Sequence, residues 1–144
     1  MGGVPYLGAY TATKAAVVAL SESWAGELEE KGIHVSVLCP AFVQTRIHES
    51  ERNRPAKYQS DLAHKPDEDS FANSTKQMVE NGIEVSIVGK RVVEALEDGE
   101  FYIFTHPNYH SVMQDRNAAI NAAFTKSAQS PLLEHIANQK LDML

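Results

Sequence analysis

The sequence predicts an α/β fold built on a parallel sheet, and two observations carry that prediction. A long helix-periodic segment ends at a Lys-Gly stop and runs directly into a short apolar, β-branched segment, "IHVSVLCP" (33–40). The same succession returns near residue 83, where a helix-periodic segment ends at Gly99 and "FYIFTHP" (101–107) follows. Helix, tight glycine turn and buried strand form the αβ half of a βαβ unit, which pairs its strands in parallel.

The elements follow in order. Tyr10 to Lys31 reads as one helix of about six turns, with Ala16, Leu20, Trp24 and Leu28 recurring on one face and Val17 and Val18 between them. Gly32 is placed to take the left-handed position that ends it. Residues 33–40 read as a strand buried on both faces and stopped by Pro40. Residues 46–80 are polar and weakly periodic, which predicts a long loop or a set of short surface helices, either a lid or substrate loop or a merely tolerated insertion. Val85, Val88, Val92, Val93 and Leu96 predict a helix, and 101–107 a second strand; the two together span 83–106. The tail, 107–144, reads as helical with a break near Ser130 and Pro131.

Composition narrows the function classes. The chain has 144 residues, 43% of them apolar, and a formal charge of −6, so it offers no basic face for nucleic acid or an anionic lipid surface. No apolar run is long enough to span a bilayer and the N-terminus lacks a signal-peptide pattern, so no membrane partner is expected and a cytoplasmic location is. The single cysteine, Cys39, excludes an internal disulfide and a cysteine-built metal site, and reads as a small apolar residue. His106 and His110 have i, i+4 spacing, but Pro107 lies between them and no HExxH pattern surrounds them; no metal is expected.

Chemistry is suggested by "AYTATKAAVVAL" (9–20). Tyr10 and Lys14, at i and i+4, share a helix face, so an ammonium can sit beside a phenol. A free phenol is a poor base at neutral pH, and a fixed cation lowers the cost of removing its proton. Ala9, Thr11, Ala12 and Thr13 leave room for a ligand around the pair. Taken alone, Pro40 ends a strand and Thr45 can cap a helix.

The run "YTATKAAVVALSESWAGELEEKGIHVSVLCPAFVQT" resembles the short-chain dehydrogenase/reductases. Their YxxxK motif is met by Tyr10 and Lys14, and their Pro-Gly-x-Val-x-Thr turn by Pro40, Ala41, Val43 and Thr45, with alanine in place of glycine. The later helix and "FYIFTHP" look more loosely like the family's last helix and strand. The resemblance implies the C-terminal part of a Rossmann-like doubly wound sheet, here without its N-terminal nucleotide-binding strands. It also implies alcohol and carbonyl interconversion by hydride transfer with NAD or NADP. In that reading Tyr10 is the acid/base and a cofactor-binding residue as well, and Lys14 assists it and binds the cofactor ribose. Pro40, Ala41, Val43 and Thr45 hold the nicotinamide end, and residues 46–80 shape a pocket for a small alcohol or carbonyl substrate.

The family's glycine-rich TGxxxGxG turn and its active-site asparagine and serine have no counterpart in the sequence. The chain therefore reads as a fragment, inactive alone. A two-stranded sheet leaves an open edge and unpaired apolar surface, so the chain by itself is expected to be poorly folded, aggregated or dependent on a partner. The family resemblance further implies a homo-oligomer through the helix 10–31. The rival reading is a non-catalytic fragment or assembly unit that binds no cofactor by itself.

Overall fold

The computed structural model describes residues 3, 5–58 and 71–139. Part of the expected lid (59–70) and the end of the tail (140–144) lie outside the described residues. The chain divides into two compact units, Met1–Val17 with Pro107–Leu144, and Val18–His106. Helix α1 (Gly8–Glu29) runs through the division, where the sequence predicts Tyr10–Lys31.

The end of α1 is set by Gly32, whose φ of 68° is one that side chains disfavour. The Ile33 N–H donates to the Leu28 carbonyl at 3.2 Å and the Gly32 N–H to that of Glu29 at 2.9 Å. This is the Schellman arrangement, which satisfies the helix's last carbonyls. Of the apolar stripe read from the sequence, Trp24 keeps 47% of its surface exposed, while the buried residue of α1 is Ser21.

Among the described residues of the second unit the sheet is two-stranded and parallel. Strand β1 (Val37–Cys39) pairs with β2 (Tyr102–Phe104) in the register Val37 to Tyr102, Leu38 to Ile103 and Cys39 to Phe104. The parallel pairing is as the sequence predicts, but the strand expected over 33–40 is confined to 37–39, and it is not buried on both faces: Val37 is buried and Leu38 is exposed. The reason is hydrogen bonding. The Ile33 N–H is spent on the cap of α1, and the Ser36 side chain, not its backbone, reaches the Glu100 carbonyl, at 2.8 Å. Apolar composition signals burial and cannot by itself supply a partner strand.

Helix α2 (Phe71–Glu80) packs against the 3-10 segment Ile47–Asn53, so the polar stretch 46–80 contains a ten-residue helix besides short turns. Helix α3 (Val85–Glu97) packs against β2 and ends, as α1 does, on a glycine with φ of 68°, Gly99. The Glu100 N–H donates to the Ala95 carbonyl at 2.8 Å, and Arg91 binds the Glu100 carboxylate at 2.6 Å across the same turn. Among the described residues the buried apolar ones are Val37, Val79, Ala95 and Ile103.

In the first unit, the 3-10 turn Pro107–Tyr109 leads into α4 (His110–Ala128). Pro131 opens a short 3-10 turn followed by α5 (Glu134–Ala137), so the break falls at Ser130 and Pro131 as the sequence predicts. No helix among the described residues is long and apolar enough to cross a membrane.

Candidate active site

Tyr10 and Lys14 stand on the first turns of α1, in the first unit. The Lys14 Nζ lies over the Tyr10 ring, 5.4 Å from its centroid. The i, i+4 spacing thus brings the ammonium over the face of the ring, in cation–π geometry. Half of the Tyr10 surface is open, at 51%, which leaves the phenol accessible to a ligand. Thr13 donates its hydroxyl proton to the Tyr10 carbonyl at 2.7 Å, which turns this small side chain back onto its own helix.

Pro40, Ala41, Val43 and Thr45 belong to the second unit, in the turn that leaves the carboxyl end of β1. In parallel α/β sheets that is the end where ligands bind. The turn is held by backbone pairing the sequence does not announce. Val43 forms a parallel bridge with Ile83, the Gln44 N–H donates to the Ile83 carbonyl at 2.9 Å, and the Ile83 N–H donates to that of Phe42 at 3.1 Å. Thr45 accepts the Ile47 N–H at 3.4 Å and so caps the 3-10 segment that follows.

Two residues outside the sequence-derived site support the same turn. A Cβ on Gly82 would strike the Phe42 carbonyl oxygen and lie 2.8 Å from the Val43 nitrogen, so only glycine fits there. The Ala41 N–H points at Nδ1 of His106, 3.4 Å away, just beyond β2. Neither has a motif of its own; the "NGI" punctuation at 81–83 is the only signal in the sequence for Gly82. His106 precedes a 3-10 turn and His110 opens α4, so their spacing is not a shared helix face. Among the described residues no group of three or more His, Cys, Asp or Glu is placed to hold a metal. Cys39 is half-buried, and that burial pushes its thiol pKa up, away from nucleophile behaviour.

The family model for short chain dehydrogenases matches residues 1–56, a span that includes Tyr10, Lys14 and the whole turn 40–45. The chain is 33% identical over 117 residues to the CLA biosynthesis dehydrogenase/reductase of Lactiplantibacillus plantarum, covering 78% of this chain and 41% of that protein. It is 33% identical over 118 residues to the C alpha-dehydrogenase of a Sphingobium species, covering 82% of this chain and 38% of that protein. A short chain dehydrogenase/reductase from Burkholderia phymatum, crystallised in complex with NAD, superposes with a TM-score of 0.73 at 28% identity, over 99% of this chain and 48% of that one.

The chain belongs to the short-chain dehydrogenase/reductase family, and its fold is part of a Rossmann-like doubly wound sheet. It spans about two fifths of the length of the two curated relatives, 41% and 38%.

Proposed function

We propose that the chain supplies the acid/base and nicotinamide-binding part of an NAD(P)-dependent oxidoreductase that interconverts an alcohol and a carbonyl. The observation that supports this most is the Lys14 ammonium over an accessible Tyr10 phenol at the head of α1, within a span that the family model matches. The Burkholderia relative's complex with NAD supports the choice of cofactor class.

The turn 40–45 fits such a group: its backbone is fixed at Phe42, Val43 and Gln44 by Ile83, and Gly82 permits that close approach. In the oxidation direction Tyr10 takes the hydroxyl proton of the alcohol, and in reduction it returns one to the forming alkoxide. The Lys14 ammonium, held by the same helix, stabilises the phenolate that exists between the two transfers. Lys14 would also hold the cofactor ribose, the Val43 backbone the nicotinamide end and Thr45 the phosphate side. Pro40 and Ala41 shape the start of the turn. The nicotinamide, when bound, supplies or accepts the hydride.

Residues 46–80 flank the substrate pocket in this reading, and the fragment alone does not turn over, because the sequence holds no TGxxxGxG turn. The chain acts as a homo-oligomer through α1, where Leu20 and Trp24 remain about half exposed. A second reading, an assembly unit without cofactor binding, is favoured by the small core and the open edge of the sheet. Titration with NADH separates the two: binding weakened by Lys14→Met supports the first, and no binding the second.

A further inference from the structure

We propose that His106 is a positioning residue that fixes the cofactor turn, through a hydrogen bond from the Ala41 N–H to its Nδ1. This rests on the nicotinamide-binding reading of residues 40–45. The two residues are 65 apart in sequence, and the contact joins the segment after β2 to the segment after β1 at 3.4 Å.

A backbone amide can only donate, so in this contact Nδ1 is the acceptor. The Thr105 hydroxyl lies 2.7 Å from the same Nδ1 and holds the ring beside the turn. His106 is half-buried, which limits competition from water for the acceptor.

The location gives the contact its consequence. Ile83 holds the turn at Phe42 and Gln44, and His106 holds it at Ala41, so the backbone is clasped on both sides of the peptide that leads to Val43. Ala41 stands where the family resemblance places a glycine. Its methyl group narrows the available φ and ψ, and the bond to His106 selects among those that remain. The sequence gives His106 no motif role, whereas the geometry gives it this task.

The test is amide hydrogen exchange in the full 144-residue chain, paired with NADH titration, for the wild type, His106→Leu and His106→Asn. Asparagine keeps an acceptor near the position of Nδ1, and leucine has none. The Ala41 amide is expected to exchange about fivefold faster in His106→Leu, the weight of one net hydrogen bond, and at the wild-type rate in His106→Asn. The Val37 and Glu100 amides, bonded to Phe101 and Ala95, keep their rates, and NADH affinity falls and recovers in the same order.

An unprotected Ala41 amide in the wild type, or equal rates in the wild type and His106→Leu, overturns the proposal. So does exchange in His106→Asn as fast as in His106→Leu, or NADH affinity indifferent to a split in the Ala41 rates. If His106→Leu loses protection at Val37 and Glu100 as well, it has unfolded and His106→Asn decides: a wild-type Ala41 rate supports the proposal and a faster one overturns it. If the wild type binds no NADH, the cofactor reading fails, while the Ala41 rates still decide whether His106 fixes the turn.

Discussion

Gly82 lies directly against the peptide that joins Phe42 to Val43, close enough that a methyl group in its place would meet the Phe42 carbonyl carbon at 2.6 Å. The neighbour that would have to yield is backbone, and that backbone is the turn assigned to the cofactor. Its φ is not positive, so what demands glycine is space and not conformation.

Gly82→Ala is therefore expected to destabilise the protein by about 1–3 kcal/mol, the ordinary cost of overpacking. Gly89→Ala is the matched control: it is exposed within α3 and nothing lies within 4 Å of its added Cβ. That change should stabilise by about 0.5–1 kcal/mol through helix propensity. Thermal midpoints at one fixed chain concentration decide the matter, and equal shifts for the two variants would remove Gly82 from the account.

Tyr102 on β2 donates its hydroxyl proton to the Glu22 carboxylate of α1 at 2.5 Å, within the second unit. That hydrogen bond, followed by burial and the carboxylate's charge, raises the Tyr102 pKa above its ordinary value. A raised folded-state value means that the contribution is complete below the unfolded phenol pKa, about 10. It is lost as pH climbs through the higher folded value. Tyr102→Phe should cost at most about 1 kcal/mol near neutrality, since the pair is solvent-accessible, and should flatten the loss of stability in alkali. An identical alkaline unfolding curve for wild type and variant contradicts this.

The described residues leave Leu20 and Trp24 on α1 and Leu38 and Phe104 on the sheet substantially exposed. Exposed apolar groups of this number favour association. The chain should sediment above its monomer mass of 15.9 kDa, and Trp24→Glu should shift it toward that mass. A monomer in the wild type, or an unchanged mass in the variant, rejects α1 as the associating face.

Joined to a glycine-rich dinucleotide-binding half and assayed with secondary alcohols, the chain should reduce NAD or NADP. Tyr10→Phe should lower that rate by a factor of about 10²–10⁴, the usual weight of a general acid/base. Undiminished turnover removes Tyr10 from the mechanism.

The parts of the fold legible from sequence are those encoded by local punctuation. Gly32 and Gly99 each end a helix in the left-handed conformation, and the strand after each glycine is where the apolar residues place it. Strand length was not legible, because it depends on a partner's backbone: Ile33 to Ser36 continue the β-branched run of Val37 to Cys39 but are not in the ladder. The proximity of Tyr10 and Lys14 was legible because both lie on one helix at fixed spacing. His106 and Gly82 were not, since each acts on a segment tens of residues away through main-chain groups that carry no side-chain signature.

The most direct measurement is titration of the chain with NADH and NADPH, followed by nicotinamide fluorescence, in the wild type, Tyr10→Phe and Lys14→Met. The account predicts weak binding that Lys14→Met reduces about tenfold, as loss of a charged hydrogen bond to the ribose requires, and that Tyr10→Phe leaves within about twofold, since the binding contacts assigned to Lys14 and the turn remain. Absence of binding, or binding indifferent to Lys14, would contradict it.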